Sequence, residues 1–585
     1  LRAESFRHPL RLIRTLRYLR TSQIVWRARC VLRRRFGGLP VPNTAAPAAP
    51  WDAASMEILR TLQETMRDAG CIGPTDLDAL RSGSVEFLNQ GASITEGIPW
   101  HDPRHGRLWQ YNLHYGRFIR DGVIARVVSP EQARTWLEDW VARNPPGTDV
   151  AWDPFCVAAR LINWPLALAE LDDPGEVLRN SYARQAAFLR ANLEWDVQAN
   201  HLHKNAAALV IAESVTGGAP SPIALRLLEG QLREQINPDG GHYERSLMYH
   251  QHVLEDTLIA RIIAGESAAT LDDTLVSMTH YLADMLHEDG EIPRFGDAVG
   301  GDAPPPVTLI HLAHSTLEIS GDSNVRATSR AFPDTGYYWL GHADRMRCIV
   351  SAGEPSPPWQ PGHAHADALS YEIACGNRRF VVDTGVHGYA DSPWRAHCRG
   401  TVAHNVTRPR GAEQLELWGA FRVGRRYTMN VETWDTSGNV QTLVASHDGY
   451  PAARVRRCVQ YHPQGVILIT DTVEGDFTPD LESFIHLHPH VAIKPEDRAF
   501  VLRNGAESLV LLLDAGTEVR LAAGIEGDPL GYHFPAFGVT ENTHCIVMTK
   551  QAERLRYAWV RCDSVHHARD LLRAAFKDDL GAHES

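Results

Sequence analysis

The stretch PGHAHADALSYEIACGNRRFVVDTG, residues 361 to 385, sets the reading of the second half of the chain. Its apolar runs ALSYEIAC and RRFVVDTG are short, carry β-branched and aromatic residues, and are split by Gly376 and Asn377, a pattern of two antiparallel strands joined by a tight turn. RCIVSAG precedes it, and YTMNVETW, GVILITDTVEG, SFIHLHPHVAI, ESLVLLLDAG and HCIVMTK follow, each bounded by Gly, Asn, Asp or Pro. Such spacing predicts antiparallel sheets packed as a sandwich over residues 329–585.

Upstream the period is different. ASMEILRTLQETMRDA, PEQARTWLEDWVARN, PFCVAARLINWPLALAEL, KNAAALVIAESV, SPIALRLLEGQLREQI and DDTLVSMTHYLADMLHED place apolar residues at three- and four-residue intervals, so residues 56–328 read as successive helices. Antiparallel helix pairs in such number bury their faces on one another in a toroid or solenoid. No strict repeat accompanies them. The proline- and alanine-rich PVPNTAAPAAPWDAAS, residues 40–55, reads as a linker.

At 585 residues, with 44% hydrophobic and 22% charged residues, the chain is an ordinary globular one of two or three domains. No apolar run approaches the roughly 20 residues that span a bilayer. The nine cysteines are scattered and never form CxxC, which argues against a zinc ribbon or a disulfide framework. Residues 1–39 stand apart. Up to residue 36 they hold eleven arginines and one acid, whereas the whole chain carries −13. Arginine interrupts every apolar stretch, unlike a secretory signal, and Leu10, Ile13, Leu16 and Leu19 recur at helical spacing with Arg7, Arg11, Arg14 and Arg17 on another face. Two readings stand together: a basic helix packed on the acidic body, or a segment contacting a membrane surface or polyanion. The absence of a recognisable signal favours a bacterial-type cytoplasmic or membrane-associated enzyme over a periplasmic or secreted one. Nucleic acid is not an expected partner, since no nucleic-acid module accompanies the arginines.

Three stretches concentrate polar residues beyond what helix or strand surfaces require. They are NHLHKN (200–205), DGGHYERSLMYHQH (239–252), and the opening stretch extended to GTVAHN (400–405). His363 and His365, two apart on an extended chain, share a face, and the turn at Gly376–Asn377 returns Asp383 near them, with His404 further on. The set reads either as a divalent-metal site or as a solvated turn with Asp383 stabilising DTG. Asn200 can likewise be a simple N-cap, and Tyr249 and His250 satisfied core residues. Two catalytic carboxylates, which a glycoside hydrolase uses, are not evident: Glu244, Glu255 and Asp256 sit in settings suited to helix surface or support. Tyr, His and Asn together suit β-elimination of a uronic acid, in which the C5 proton leaves, donors hold the carboxylate, and a hydroxyl protonates the departing O4.

At these residues the sequence resembles the heparinase II/III-like polysaccharide lyases, through NH in the helical half, Glu244, Arg245, Ser246, Tyr249 and His250 as ERSxxYH, then GHAHAD, VVDTG and AHN in order. The resemblance implies an α+β multidomain fold, an incomplete (α/α) toroid followed by an antiparallel β-sandwich. It implies that Asn200 with His201 neutralises the substrate carboxylate, that Tyr249 is the catalytic acid, and that His363 is the second catalytic residue. His365, Asp383 and His404 match the family's metal set, for zinc ahead of manganese, in a mainly structural role. Arg160, Arg245, Tyr389, Arg395 and Arg399 are expected to line the sugar cleft, and Tyr243 competes with Tyr249 for the catalytic role. The expected activity is β-elimination on a glycosaminoglycan- or alginate-type polysaccharide. A binding or biosynthetic protein of an exopolysaccharide system and an acidic-glycan hydrolase are the alternatives.

Overall fold

The computed structural model describes residues 9–36, 39–42, 48–317, 319, 328–476 and 480–576. Arg7 of the basic segment and residues 43–47 of the linker lie outside them. The helical half is a layered toroid. Helices Pro154–Leu168, Ala199–Gly217 and Leu247–Ala264 pack on one another in turn, and Glu176–Ala191, Pro222–Gln235 and Asp272–Met285 lie against them. Sequence explains the layering. Fourteen of the fifteen residues of Pro154–Leu168 are buried, as an all-round apolar helix requires, whereas the outer helices keep an exposed polar face. Ser129, Asp153 and Ser221 each accept a backbone N–H at a helix start and are followed by proline at the first turn, where its missing N–H costs nothing.

The helical half is not wholly helical, as its periodicity had suggested. Ser84–Phe87 and Gln90–Ser93 form a two-stranded hairpin across Leu88 and Asn89, both at positive φ (55° and 56°). The linker is also shorter than its composition implies. Trp51 is buried against Tyr182 at 5.0 Å between rings, and the first toroid helix starts at Ala53, capped by Asp52.

The second half consists of antiparallel sheets. A five-stranded sheet runs from Arg330–Phe332 through Tyr337–His342, Met346–Ser351 and Tyr371–Cys375 to Arg378–Val381. Cys375 pairs with Arg378 across Gly376 and Asn377, the turn expected from sequence, and Gly376 holds φ +53°, where a Cβ would strain the backbone. Eight-stranded and four-stranded sheets complete the sandwich. Period-two alternation divides the strands between two cores. Tyr338, Leu340, Cys348 and Val350 pack into the sandwich with Ile467, Ile469 and Trp559, while Tyr337, Trp339 and Ile349 join the toroid core. The five-stranded sheet is therefore buried on both faces and glues the halves together. Arg245 adds to the joint. At φ +57° it donates to the carbonyls of Thr335, Gly336 and Glu354 and to Ser351, and its guanidinium lies 4.9 Å from the Tyr337 ring centroid.

Candidate active site

The site forms where the toroid meets the loop that precedes strand Tyr371–Cys375. Helix Leu247–Ala264 begins at Ser246, whose hydroxyl caps it, and this brings Tyr249 to the cleft within its first turn. The HAHAD segment is loop, not strand, yet its two histidines reach one group: His363 Nδ1 lies 2.8 Å from Asp297 Oδ2, and His365 Nε2 lies 2.8 Å from Asp297 Oδ1. Arg395 donates to both oxygens of the same carboxylate, the Nη2–Oδ2 contact at 2.8 Å. Asp297 is fully buried. Burial alone would raise its pKa, but Arg395 and the two histidines outweigh this and hold the carboxyl well below the usual range. A carboxylate there fixes the tautomer of His363: Nδ1 carries the proton and Nε2 keeps its lone pair. The chain reaches this geometry through Gly296 at φ +60°, where an added Cβ would meet the His363 carbonyl oxygen at 3.0 Å.

The Tyr249 ring lies 3.9 Å from that of His363, and its hydroxyl is 3.1 Å from that of Tyr389. Burial raises the Tyr249 phenol well above its usual pKa, and the Asp297 charge adds to this, so it stands as a proton-bearing acid at neutral pH. Asn200 is not an N-cap. The helix is entered through Gln198 and Ala199, both left-handed (φ 66° and 52°), and Asn200 Nδ2 donates to Glu244 Oε2 at 2.8 Å. That backbone strain is spent where two buried polar groups must meet. Glu244 Oε1 has no hydrogen-bond partner and lies 4.0 Å from His363 Nε2. Burial raises the Glu244 pKa despite opposing contributions from His363 and Asn200.

Asn200, Tyr249 and Tyr389 line one cleft, with Asn163, Lys204 and Phe155 among their neighbours. The charged groups of that cleft are matched: Arg117 and Arg120 bind Glu255, Lys204 binds Asp256 at 2.5 Å, and His252 meets Asp302 at 3.0 Å. Glu255 and Asp256 are each tied to a cation and Asp302 to an imidazole, so none of the three stands free for the two-carboxylate chemistry of a glycoside hydrolase. Tyr243 does not line the cleft. It is buried, with its ring 6.3 Å from that of Trp359.

Several expectations are corrected by burial and bonding. Arg160 lies in the helical core, bonded to Gln185 and to the carbonyls of His114 and Ala151 and 4.1 Å from the Trp140 ring centroid; burial pulls its pKa down to about 9. Arg245 is the domain tether described above. Arg395 gives both terminal nitrogens to Asp297 and its Nε to the Ala420 carbonyl, so it positions a carboxylate, and it is buried away from the cleft lining. Arg399 is buried and bonds the carbonyls of Ala364 and Gly419. His201 turns to Glu194 (2.8 Å); burial alone would lower the imidazole pKa, but Glu194, with Asp153 and Glu244, outweighs it and raises the pKa. Asp297 itself was not expected. Its one sequence signal is an acid between glycines in FGDAVG, just after a helix-rich region.

The expected metal residues lie together, though not in a coordinating arrangement. His404 Nδ1 is 2.7 Å from Asp383 Oδ2, and the His365 and His404 rings are 5.3 Å apart. Among the described residues no three His, Cys, Asp or Glu side chains stand in a geometry that could hold a metal ion. The donor chemistry fits one nevertheless. His365 Nδ1 and His404 Nε2 are buried without any hydrogen-bond partner, and each ring uses its other nitrogen on a carboxylate, the usual setting of a metal-binding imidazole.

Two family models match the chain: Heparinase II/III N-terminus over residues 89–304 and Heparinase II/III-like, C-terminal over residues 324–560. The crystal structure of heparinase III superposes with a TM-score of 0.67 at 16% identity, covering 92% of this chain and 90% of that one. Heparan sulfate lyase from Pedobacter heparinus gives 0.55 at 16% identity over 93% and 88%. A second heparinase III gives 0.58 at 18% identity over 92% and 89%. Identities this low speak for the fold. No curated protein sequence matches the chain.

Proposed function

Because the chain belongs to the heparinase II/III-like family of polysaccharide lyases, we propose that it cleaves a uronic-acid-containing polysaccharide by β-elimination at the cleft lined by Asn200 and Tyr249, with His363 packed against the Tyr249 ring. The observation that carries this reading is the Asp297–His363–Tyr249 array. An imidazole oriented by a buried carboxylate packs against a phenol that keeps its proton. In the elimination the C5 proton passes to a base, the C4–C5 double bond forms, and the C4–O4 bond breaks with a proton delivered to O4. His363 Nε2 has the free lone pair to serve as base, and Tyr249 supplies the proton to O4 from the adjoining position. Asn200 holds one amide N–H on Glu244 and has a second for the uronate carboxylate, where charge builds as C5 loses its proton. Tyr389, within hydrogen-bond reach of Tyr249, closes the same wall of the cleft.

Heparan sulfate, the substrate that the similar Pedobacter heparinus lyase is named for, heads the candidates; other glycosaminoglycans and alginate follow. The test is the growth of unsaturated-uronate absorbance on heparan sulfate, heparin, hyaluronan, chondroitin and dermatan sulfates, and alginate. Turnover without unsaturated product would replace elimination by hydrolysis, and folded enzyme silent on all of them would remove these polymers as substrates. We also propose that His365, Asp383 and His404 hold a divalent cation, zinc ahead of manganese, which would brace the β-domain loops around His363. Metal content measured on the purified protein and on His365→Ala decides this: equal, near-zero or unchanged content rejects the site.

A further inference from the structure

The two N-terminal helices, Pro9–Leu16 and Thr21–Phe36, are built inside out relative to ordinary surface helices. At about 100° per residue, Gln23, Trp26, Cys30 and Arg33 fall on one side of the second helix, while Ile24, Val25, Ala28, Val31 and Leu32 fall on the other. The first side faces the protein. Gln23 is fully buried and bonds the Trp359 carbonyl, and Trp26 stacks on Trp195. The apolar side faces outward: Ile24 is 47%, Val25 59%, Val31 60% and Leu32 57% exposed. The first helix repeats the arrangement. Thr15 bonds Val423 and Trp418, and Arg11 and Arg14 meet Glu416, while Leu10, Ile13 and Leu16 point away from that contact and are 66%, 61% and 41% exposed. Of the fifteen large hydrophobic residues exposed among the described residues, seven lie in these two helices, so they form a surface and not a scatter.

We infer that this pair of helices seats the enzyme on an anionic lipid surface, its apolar residues entering the headgroup boundary and its arginines meeting lipid charge. Charge names the occupant. Residues 9–36 contain nine arginines and no acid, and exposed Arg27 and Arg29 flank the apolar face of the second helix. The chain as a whole is at −13, so beyond residue 36 it carries about −23 and is repelled by an anionic bilayer everywhere except here. An apolar stripe edged with arginine is the makeup of a helix lying in the interface plane, and no helix of the described residues is long and apolar enough to cross a membrane. The pair bridges both halves, with Arg20 on Glu234 of the toroid (2.6 Å) and 3.7 Å from the Trp359 ring centroid of the β-domain, four residues before His363.

The experiment is co-sedimentation of the full chain with vesicles of phosphatidylcholine alone or mixed with phosphatidylglycerol. The comparison is a Val31→Asp, Leu32→Asp variant, whose two side chains are more than half exposed. The protein is expected to pellet with the mixed vesicles and stay in solution with phosphatidylcholine alone. The variant should keep the wild-type melting temperature and lose at least about tenfold in partitioning. Three results overturn the inference: wild-type protein left in solution with both vesicles; a variant that binds as well as wild type, which would mean adsorption through arginine alone; or self-association abolished by the variant without vesicle binding, which would make a second copy the occupant.

Discussion

Asp297→Asn separates positioning from simple support, because the structure assigns this carboxylate four hydrogen bonds and no contact with the cleft. The substitution leaves the Arg395 guanidinium, 1% exposed, without a counter-charge, and breaking a buried ion pair from one side costs about 3–5 kcal/mol. It also replaces an acceptor-only group by an amide that can donate, so His363 Nδ1 no longer has to carry the proton and Nε2 loses its reserved lone pair. Loss of a correctly held general base lowers kcat by roughly 10²–10⁴. KM should barely change, because Asp297 faces His363 and not the substrate. Unsaturated-uronate absorbance gives kcat and KM, and thermal melting gives the stability change. Asp297→Asn combined with Arg395→Met removes both charges, and most of the lost stability should return while kcat stays low. A folded Asp297→Asn enzyme with kcat within about twofold of wild type would refute the positioning argument. A double variant no more stable than the single one would refute the stranded-charge argument.

Tyr249→Phe keeps the ring against His363 and removes only the hydroxyl, so kcat should fall by about 10²–10⁴ with an unchanged melting temperature. Arg160→Met should do the reverse. Loss of charged hydrogen bonds to Gln185 and two carbonyls destabilises by at least about 2 kcal/mol, while KM on soluble polysaccharide stays near wild type. Glu255 gives a pH signature. Burial would raise its pKa, but Arg117 and Arg120 outweigh this and depress it to about 2 from an ordinary 4.5. Its contribution, about 3 kcal/mol, is complete above the unfolded value and disappears as pH falls from about 4.5 toward 2. The melting-temperature gap between wild type and Glu255→Gln should therefore close through that window, and a gap constant from pH 7 to 3 would contradict the ion-pair account.

The architecture was legible because it is written in periods. The change from three- and four-residue spacing to alternation near residue 330 matches the step from helices to sheets, and Gly376–Asn377 sits at the hairpin it announced. The hairpin at residues 84–93 was not legible, since two strands of four residues give periodicity too little length to register. The arginines misled for a different reason. Arg160, Arg245, Arg395 and Arg399 carry the residue type that acidic sugars call for, but a sequence does not state which face of a helix or loop is already occupied. In the fold they are buried or turned toward Gln185, backbone carbonyls and Asp297, and none of them lines the cleft.

That placement of arginine bears on how the cleft meets an anionic polymer. With the domain-joining and core arginines committed, and Arg117, Arg120 and Lys204 each tied to a carboxylate, the cleft cannot rely on a field of free positive charge. On the proposed function, recognition of a uronate then falls to directed donors: the Asn200 amide held by Glu244, and the phenols of Tyr249 and Tyr389. Such groups work over hydrogen-bond distances and are little screened by salt, whereas steering by free cations weakens within about 8–10 Å at physiological ionic strength. KM on the preferred polymer should accordingly respond weakly to added salt. A KM that rises steeply with ionic strength would mean that free cations outside this cleft carry the binding.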